Sequence, residues 1–254
     1  MTTNSPQSDV ARVDPVPGSP AAVADLGAET ALVVADYHAG IERSLRSEGV
    51  ELPSAADERR RELLSLVAET GVDRVLFLGD LVSTIGQPSG EERTELTTLV
   101  DALPVPATLV PGNHDGEVGE AAAVEVTDAD GVRYGDVAFA HGHTWPDPAL
   151  LDADVLCIGH EHPQVRLEDE VGGRRVERAW LRGPLSAAPF SDHYGESLSS
   201  AAELVVFPAF NERCGGSWVN VDGQGFLAPF LPDALPAGEA YLLDGTRLGP
   251  YAEV

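Results

Sequence analysis

The chain has 254 residues, of which 43% are apolar, and its 42 acidic and 16 basic residues give a formal net charge of −26. The apolar content excludes a disordered acidic chain, and two cysteines are too few for a disulfide framework. The apolar runs are too short to span a membrane, and the first ten residues lack the basic start and apolar stretch of a secretory signal. We therefore expect a soluble cytoplasmic protein.

The basic residues are also unusual in composition: all 16 are arginine, and lysine is absent. An acid excess spread over the whole chain without lysine favours a protein from a salt-rich cytoplasm, and the alternative is an acidic mesophilic protein. At about 1 M salt the Debye length falls to about 3 Å, so long-range repulsion of anions disappears. The charge therefore does not exclude a phosphodiester or a nucleic-acid substrate.

The first half of the chain predicts alternating strands and helices. Residues 1–9 are polar and are expected to be a disordered tail. Helix signals are an N-cap at Ser54, a stop at Gly71, and an apolar stripe between Glu91 and Leu103. The predicted strands of this half are Val10–Val16, Ala21–Leu26, Ala31–Ala35, Arg74–Leu78 and Ala107–Val110.

The second half is richer in strands. We predict strands at Asp136–Ala140, Asp154–Ile158 and Glu203–Phe207, and a hairpin over Gln164–Leu181 that turns at Gly172-Gly173. From about residue 208 the pattern is weak and glycine and proline are frequent. No linker separates these segments, so residues 10–254 are expected to form a single α/β domain, with a C-terminal strand and loop extension from about residue 164.

Polar residues of metal-ligand type follow five of the apolar strands directly. Ligands of open α/β sheets gather beyond the carboxyl ends of the strands, so five such ends would build one convergent site. Six of the seven histidines lie in these loops. The five sequences are Asp36-Tyr37-His38, Gly79-Asp80, Gly112-Asn113-His114-Asp115, His141-Gly142-His143 and Gly159-His160-Glu161-His162.

Each fragment alone is a weak signal. Asp-x-His occurs by chance, Gly-Asp is a common turn, and a single histidine is more often a core or surface residue than a ligand. Five fragments in order, each at a strand end, are not expected by chance. Together they predict a metal site.

In this order the five fragments resemble the motifs of the calcineurin-like metallophosphoesterases, which are D-x-H, GD, GNH[DE], H and GHxH. The resemblance covers residues 31 to about 163 and implies a four-layer α/β/β/α sandwich with the site at one end of the sheets. The stretches Val34–Glu42 (VADYHAGIE) and Phe207–Asn220 (FPAFNERCGGSWVN) are similar to two narrower groups. These are the archaeal phosphoesterases related to the double-strand-break repair nuclease, which fits a halophilic archaeon, and the DNA-ligase-associated bacterial phosphoesterases.

The resemblance implies a role for each motif residue. His114 would bind the phosphate and protonate the leaving oxygen, and Asp115 would orient His114. Asp80 would bridge two divalent metal ions. The first ion would be held by Asp36, His38, Asp80 and His162, and the second by Asp80, Asn113, His141 and His160.

The physical logic of such a centre does not depend on the family. Two cations about 3.5–4 Å apart repel each other, so an anionic bridge is needed, and a hydroxide held between them is a nucleophile at neutral pH. Ligands without thiolate fit Mn²⁺, Fe or Zn²⁺, and the family favours Mn²⁺.

Other residues have two possible interpretations. His143 is a supporting residue of the site or a loop residue, and Glu42 supports a ligating histidine or is solvated. Glu161 is expected to be solvated, and His193 is expected to lie in a loop. Cys157 is expected to be a buried apolar residue, and Cys214 a free thiol without function. Three arginines are candidates for phosphate binding or for surface ion pairs, namely Arg43, Arg46 and Arg182.

These features predict a hydrolase of phosphate esters, and phosphodiesters are favoured. The protein phosphatases of the superfamily carry GDxxDRG, whereas this chain has Gly79-Asp80-Leu81-Val82-Ser83-Thr84, which argues against phosphoprotein substrates. One alternative is a nuclease that acts on DNA or RNA ends in repair. Another is a metal-binding scaffold for a repair partner, which an intact ligand set disfavours.

Overall fold

The computed structural model describes residues 12–50, 52–168, 171–221 and 223–254. The tail predicted for residues 1–9 lies outside these ranges. Within them, the helices are α1 Ile41–Ser47, α2 Ala56–Thr70, α3 Gly90–Ala102, α4 Val118–Ala121 and α5 Ala188–Tyr194, with short 3₁₀ turns at Pro148–Asp152 and Tyr251–Glu253. The strands are β1 Val13–Pro15, β2 Ala21–Asp25, β3 Thr30–Ala35, β4 Arg74–Leu78, β5 Ala107–Val110, β6 Glu125–Val126, β7 Val132–Tyr134, β8 Val137–Ala140, β9 Val155–Ile158, β10 Gln164–Glu168, β11 Arg174–Pro184, β12 Glu203–Val206, β13 Glu239–Leu242 and β14 Arg247–Pro250.

These strands form two sheets. The first has the order β1-β2-β3-β4-β5-β6, and β3, β4 and β5 run parallel. The second has the order β14-β13-β11-β12-β9-β8-β7, with β10 paired to β11, and β8, β9 and β12 run parallel. Because parallel strands end at the same edge, the loops after β3, β4 and β5 meet at one edge, and those after β8 and β9 meet at another.

The layers follow from the alternation of side chains along each strand. In β3, Leu32 faces α2 and α3, while Val33 faces the second sheet. The space between the sheets is filled by apolar side chains that include Phe139 and Trp180. On the outer face of the second sheet, Phe190 of α5 packs with residues of the 228–235 segment. The fold is therefore a mixed α/β sandwich of two sheets with helices outside, as predicted.

The buried strands agree with their predicted positions to within about a residue, because an apolar run buried on both faces is a strong local signal. The predicted N-cap of α2 is wrong. Ala55 occupies that position, and the Ser54 hydroxyl accepts a hydrogen bond from the Ala56 N–H. Helices α1, α4 and α5 were not predicted, because they have only seven, four and seven residues. No helix in the described part of the chain is long and apolar enough to cross a membrane.

Candidate metal centre

Five of the predicted site residues share an unusual backbone conformation. Asp36, His38, Asp80, His160 and His162 have φ angles between 43° and 67°, and no other described non-glycine residue has a positive φ. Such backbone costs about 1–3 kcal/mol per residue and clusters at functional sites, where the surrounding structure enforces it. The strain marks the ends of β3, β4 and β9 as the place where the fold positions these side chains.

Two glycines allow the side chains of the site to approach the backbone. A Cβ atom on Gly79 would lie 2.0 Å from Nδ1 of His141, and Gly79 also has a φ of +77°. A Cβ atom on Gly112 would lie 2.2 Å from Oδ1 of Asp80. Any larger residue would therefore displace a candidate ligand, which explains the glycines of the GD and GN motifs in physical terms.

The first cluster consists of Asp36, His38, Asp80 and His162. Oδ1 of Asp36 lies 3.2 Å from Nε2 of His162, and Oδ2 of Asp80 lies 3.8 Å from Nε2 of His38. The rings of His38 and His162 are 5.4 Å apart between centroids and nearly perpendicular. The fold thus brings together the four residues that were predicted to hold the first ion.

The second cluster consists of Asp80, His141 and His160, three of the four residues predicted to hold the second ion. Oδ1 of Asp80 lies 3.5 Å from Nε2 of His141, and the rings of His141 and His160 are 5.0 Å apart. Asn113 is exposed in the loop after β5, next to His114, whose backbone N–H donates to Oδ1 of Asp80 at 3.1 Å. The two oxygens of Asp80 thus face different clusters, which is the arrangement that a bridging carboxylate requires.

Several atoms of the clusters are buried without a hydrogen-bond partner. They are Oδ1 of Asp36, Nε2 of His38 and Nε2 of His141. Nδ1 of His141 donates to the Leu78 carbonyl at 3.0 Å, which holds the ring and leaves Nε2 facing the cluster. Unpaired buried polar atoms are costly, and histidines held in this way are typical metal ligands. The residues therefore fit a divalent metal ion.

The protonation states differ among the candidate ligands. Burial would raise the pKa of Asp36 and of Asp80, but the neighbouring His162 and His141, respectively, hold both carboxylates below their ordinary value. Burial lowers the pKa of His38 and of His160 to about 4. The carboxylates are therefore ionised and these two imidazoles neutral near pH 7, which are the states that metal ligands need. Burial would lower the pKa of His141, but the neighbouring Asp80 and Asp36 raise it to about 9, and Asp36 likewise raises the pKa of His162. A metal ion bound there would therefore replace a proton on each of these two imidazoles.

His114 borders both clusters, but its predicted contact with Asp115 is not formed. Nδ1 of His114 donates to the Ser83 carbonyl at 2.7 Å, and Nε2 lies 3.8 Å from Oδ2 of Asp80. The buried Asp115 accepts backbone N–H groups from Leu81 and Gly112 instead, at 2.9 and 2.8 Å. Asp115 therefore joins the loops after β4 and β5, and the Ser83 carbonyl orients the imidazole.

Sequence reasoning missed a loop that closes the first cluster. We call residues 211–216 the late loop. The Asn211 amide is buried and donates to the carbonyls of Tyr37 and His38 at 3.0 and 3.3 Å. The Gly215 carbonyl accepts from Nδ1 of His162 at 2.8 Å. The signal that could have identified it was a polar Asn between an aromatic residue and a Gly-Gly pair within Phe207–Asn220.

Glu42 neither contacts a histidine nor is solvated. It is 2% exposed and pairs with Arg59 at 2.6 Å and with Arg213 of the late loop at 2.7 Å. Arg59 also pairs with Glu95, which accepts the N–H of Gly40 at 2.8 Å. This buried network ties the late loop and α3 to the segment that follows His38.

Two other expectations are wrong. Glu161 is fully buried rather than solvated, and it accepts the N–H of Leu227 at 2.6 Å. His193 lies in α5 rather than in a loop, and its ring stacks on Trp145 at 4.0 Å. Each of these two side chains contacts a residue that is far away in the sequence.

The remaining residues agree with one of their predicted interpretations. His143 lies in a loop beside the second cluster, 5.3 Å from His141 between ring centroids. Cys157 is buried in β9. The three candidate arginines contact other parts of the protein, because Arg43 donates to Ser89, Arg46 pairs with Glu91, and Arg182 pairs with Glu203.

Two solved structures align with this chain to different degrees. The structure of the nuclease MPE from Pseudomonas putida aligns with a TM-score of 0.53 and 19% identity, over 91% of this chain and 97% of that one. The structure of Yfce, a phosphoesterase from E. coli, aligns with a TM-score of 0.38 and 19% identity, over 86% of this chain and 96% of that one. No curated protein matches the sequence significantly.

A family match covers most of the candidate site. Residues 30–148 match the sequence model of the calcineurin-like phosphoesterases. This range contains the motifs from Asp36 to His141, and His160 and His162 follow it. Over residues 30–148 the chain is therefore similar to the calcineurin-like phosphoesterases, and its two-sheet fold is similar to that of the aligned nuclease structure.

Proposed function

We propose that this protein is a metal-dependent phosphoesterase that hydrolyses phosphodiesters with two divalent ions. The observation that carries the proposal is the set of buried, unpartnered ligand atoms on Asp36, His38 and His141, which face a common space beside His114. When bound there, the ions would lower the pKa of a water molecule and neutralise charge on the phosphoryl group. Ligands that offer only nitrogen and oxygen fit Mn²⁺, Fe or Zn²⁺, and the resemblance to the family favours Mn²⁺.

The residues of the chain would divide the remaining work. Asp80 would hold both ions, because its two oxygens face different clusters. His114 would donate from Nε2 to the leaving oxygen, because its Nδ1 is already engaged with the Ser83 carbonyl. Its side chain is 25% exposed, so a substrate can reach it from solvent.

A nuclease activity is the second candidate. Trp218 is 37% exposed, and it follows Ser217, whose backbone is hydrogen-bonded to Glu161 and Gln164 on either side of His162. Exposed aromatic rings beside a metal site are suited to stacking with unpaired bases. The fold is also similar to that of a protein described as a nuclease.

A substrate panel tests the proposal. The wild-type protein is assayed with Mn²⁺ at molar and low KCl on a nitrophenyl diester, the matching monoester, cyclic nucleotides, and single- and double-stranded DNA. We expect diester hydrolysis in the wild type and none in His160→Ala. His193→Ala is the matched control, because that histidine stacks on Trp145 outside the clusters and its loss should leave hydrolysis intact.

Three results would contradict the proposal or redirect it. Faster hydrolysis of the monoester than of the diester would contradict the phosphodiesterase assignment. Cleavage of DNA with weak activity on the small diester would favour the nuclease. Full metal binding without turnover on any substrate would favour a scaffold.

A further inference from the structure

Cys214 of the late loop lies beside the first cluster. Its Sγ and one ring nitrogen from each of His38 and His162 all lie within 4.8 Å of one another. The thiol is 8% exposed and is therefore largely shielded from solvent. A sulfur and two imidazoles at this separation form a set of donors that a divalent ion could use.

The position of the sulfur is fixed by the loop that carries it. The Cys214 N–H donates to the Asn211 carbonyl at 3.2 Å, and the Asn211 side-chain amide donates a hydrogen bond to the His38 carbonyl. On the other side, the Gly215 carbonyl holds the His162 ring. Gly216 packs so closely that a Cβ atom there would lie 2.2 Å from the His162 carbonyl. Cys214 therefore cannot leave the cluster without breaking contacts on both sides.

A second observation points to a ligand at this place. Nε2 of His38 is buried without a hydrogen-bond partner, and the residue as a whole is 7% exposed. Cys214 also packs against Ile41 and Ala209, as a small apolar residue would. Apolar packing accounts for the burial of the thiol, but it leaves the nitrogen of His38 unsatisfied.

We propose that the Cys214 thiolate is an additional ligand of the ion at the first cluster, beside Asp36, His38 and His162. The thiol would release its proton to solvent as the bond between sulfur and metal forms. A thiolate favours Zn²⁺ or Co²⁺ over Mn²⁺, so the two clusters would differ in metal preference. The preference for Mn²⁺ assumed that no thiolate was present. The inference rests on the proposed function for the presence of the ion.

Cobalt spectroscopy tests the coordination directly. Metal-free protein is titrated with Co²⁺, and the charge-transfer absorption of a bond between thiolate and cobalt is followed in the near ultraviolet. We expect the band in the wild type and its loss in Cys214→Ser and Cys214→Ala. Cys157→Ala is the matched control, because that thiol is buried in β9, and this variant should keep the band.

Metal competition gives a second readout. Protein incubated with equal Zn²⁺ and Mn²⁺ is desalted and its metal content is measured. Wild type should retain Zn²⁺ at one position. Removal of the sulfur should weaken Zn²⁺ binding there by more than about tenfold, the lower end of the loss seen for supporting residues of metal sites.

The outcomes separate this inference from the proposed function. A wild-type protein that binds Co²⁺ without the band, or a Cys214→Ser variant that keeps it, would overturn the inference. Diester hydrolysis without the band would overturn the inference and leave the proposed function intact. A band without hydrolysis of any phosphate ester would support the thiolate ligand and contradict the proposed function. Absence of Co²⁺ binding would overturn both.

Discussion

The two clusters of candidate ligands are enclosed by different parts of the chain. The second cluster depends on loops that leave the strands directly, and its fully buried His141 packs on Gly79 and is held by the Leu78 carbonyl. The first cluster is closed by the late loop, whose Gly215 is 53 residues away in the sequence from its partner His162.

This difference has consequences for how each cluster responds to change. The His141 ring is held by backbone groups of β4 and of the turn that follows it, in the buried centre of the first sheet. The backbone of His38 is held by the Asn211 side chain and the His162 ring by the Gly215 carbonyl, and both groups belong to a segment without regular secondary structure. Substitutions in the late loop should therefore affect the first cluster selectively, whereas a change at Asp80 should affect both.

The largest effect is expected for Asp80→Asn, because Asp80 belongs to both clusters and its substitution should affect both. An amide is a poorer bridge than a carboxylate, so at least one ion should be lost. Loss of an ion removes several kcal/mol of charge stabilisation, so hydrolysis should fall to background. Metal analysis of the purified variant and its diester turnover measure this. Two ions per chain with wild-type turnover would show that Asp80 is not a bridge.

His114→Ala should leave both clusters filled and reduce the rate. General acid catalysis is typically worth about 10²–10⁴-fold, and less when the leaving group needs little protonation. The loss should therefore be larger for a nucleoside or alkyl diester than for a nitrophenyl diester. His160→Ala should reduce both rates alike. Equal losses for both substrates in His114→Ala, or loss of metal, would give His114 a structural or phosphate-binding role.

Asn211→Ala should weaken the first cluster alone. Substitution of a residue that orients a metal ligand typically lowers metal affinity by about 10–100-fold, and only the affinity for the first ion should fall. Stepwise metal titration by calorimetry measures both affinities. Asn220→Ala is a matched control, because that side chain makes a comparable pair of bonds with the Arg166 backbone outside the clusters. Equal weakening of both ions would contradict the separation between the clusters.

The smallest effect concerns acid stability. Burial raises the pKa of Glu42, but the hydrogen bonds and charge of Arg59, together with backbone N–H bonds such as that from Ala55, outweigh this and lower the pKa from 4.5 to about 2. Because the folded pKa lies below the unfolded one, the ionised carboxylate stabilises the protein above about pH 4.5, and this stabilisation is lost as the pH falls towards 2.

Glu42→Gln provides the measurement for this effect. The difference in unfolding free energy between wild type and Glu42→Gln, from denaturant titrations at several pH values, should narrow between pH 5 and the lowest pH at which both fold. A difference that does not change with pH would show that the ionised Glu42 carboxylate does not stabilise the folded protein through its pairing with Arg59.

Most of the fold and most of the candidate ligands could be predicted from the sequence. Strand β3 was predictable because a run of only five consecutive apolar residues, Ala31–Ala35, is typical of a strand buried on both faces. The ligands were predictable because residues such as Asp36 and Asp80 follow such strands directly, and the ends of parallel strands converge. Their roles as ligands stay a prediction until metal binding is measured.

The errors concern side chains whose partners are remote in the sequence. The family resemblance implied that Asp115 orients His114, yet its carboxylate accepts the N–H of Leu81, which is 34 residues away. Glu161 was expected to be solvated because it lies between two ligands, yet it accepts an N–H from Leu227, 66 residues away. The local sequence indicates which side chains of a strand are buried, but it does not indicate which loops lie close together in the fold.

The sequence by itself therefore determined which strands are buried and which polar residues meet at their ends, since both depend on neighbouring residues and on the geometry of parallel strands. The tertiary structure decided how the loops beyond those ends close around the residues. Residues 208–216 carry no periodic pattern, and their place beside His38 and His162 depends on contacts such as that of Asn211 with the His38 carbonyl. For the same reason, a thiol that seemed to have no function in the sequence lies against two candidate metal ligands in the folded chain.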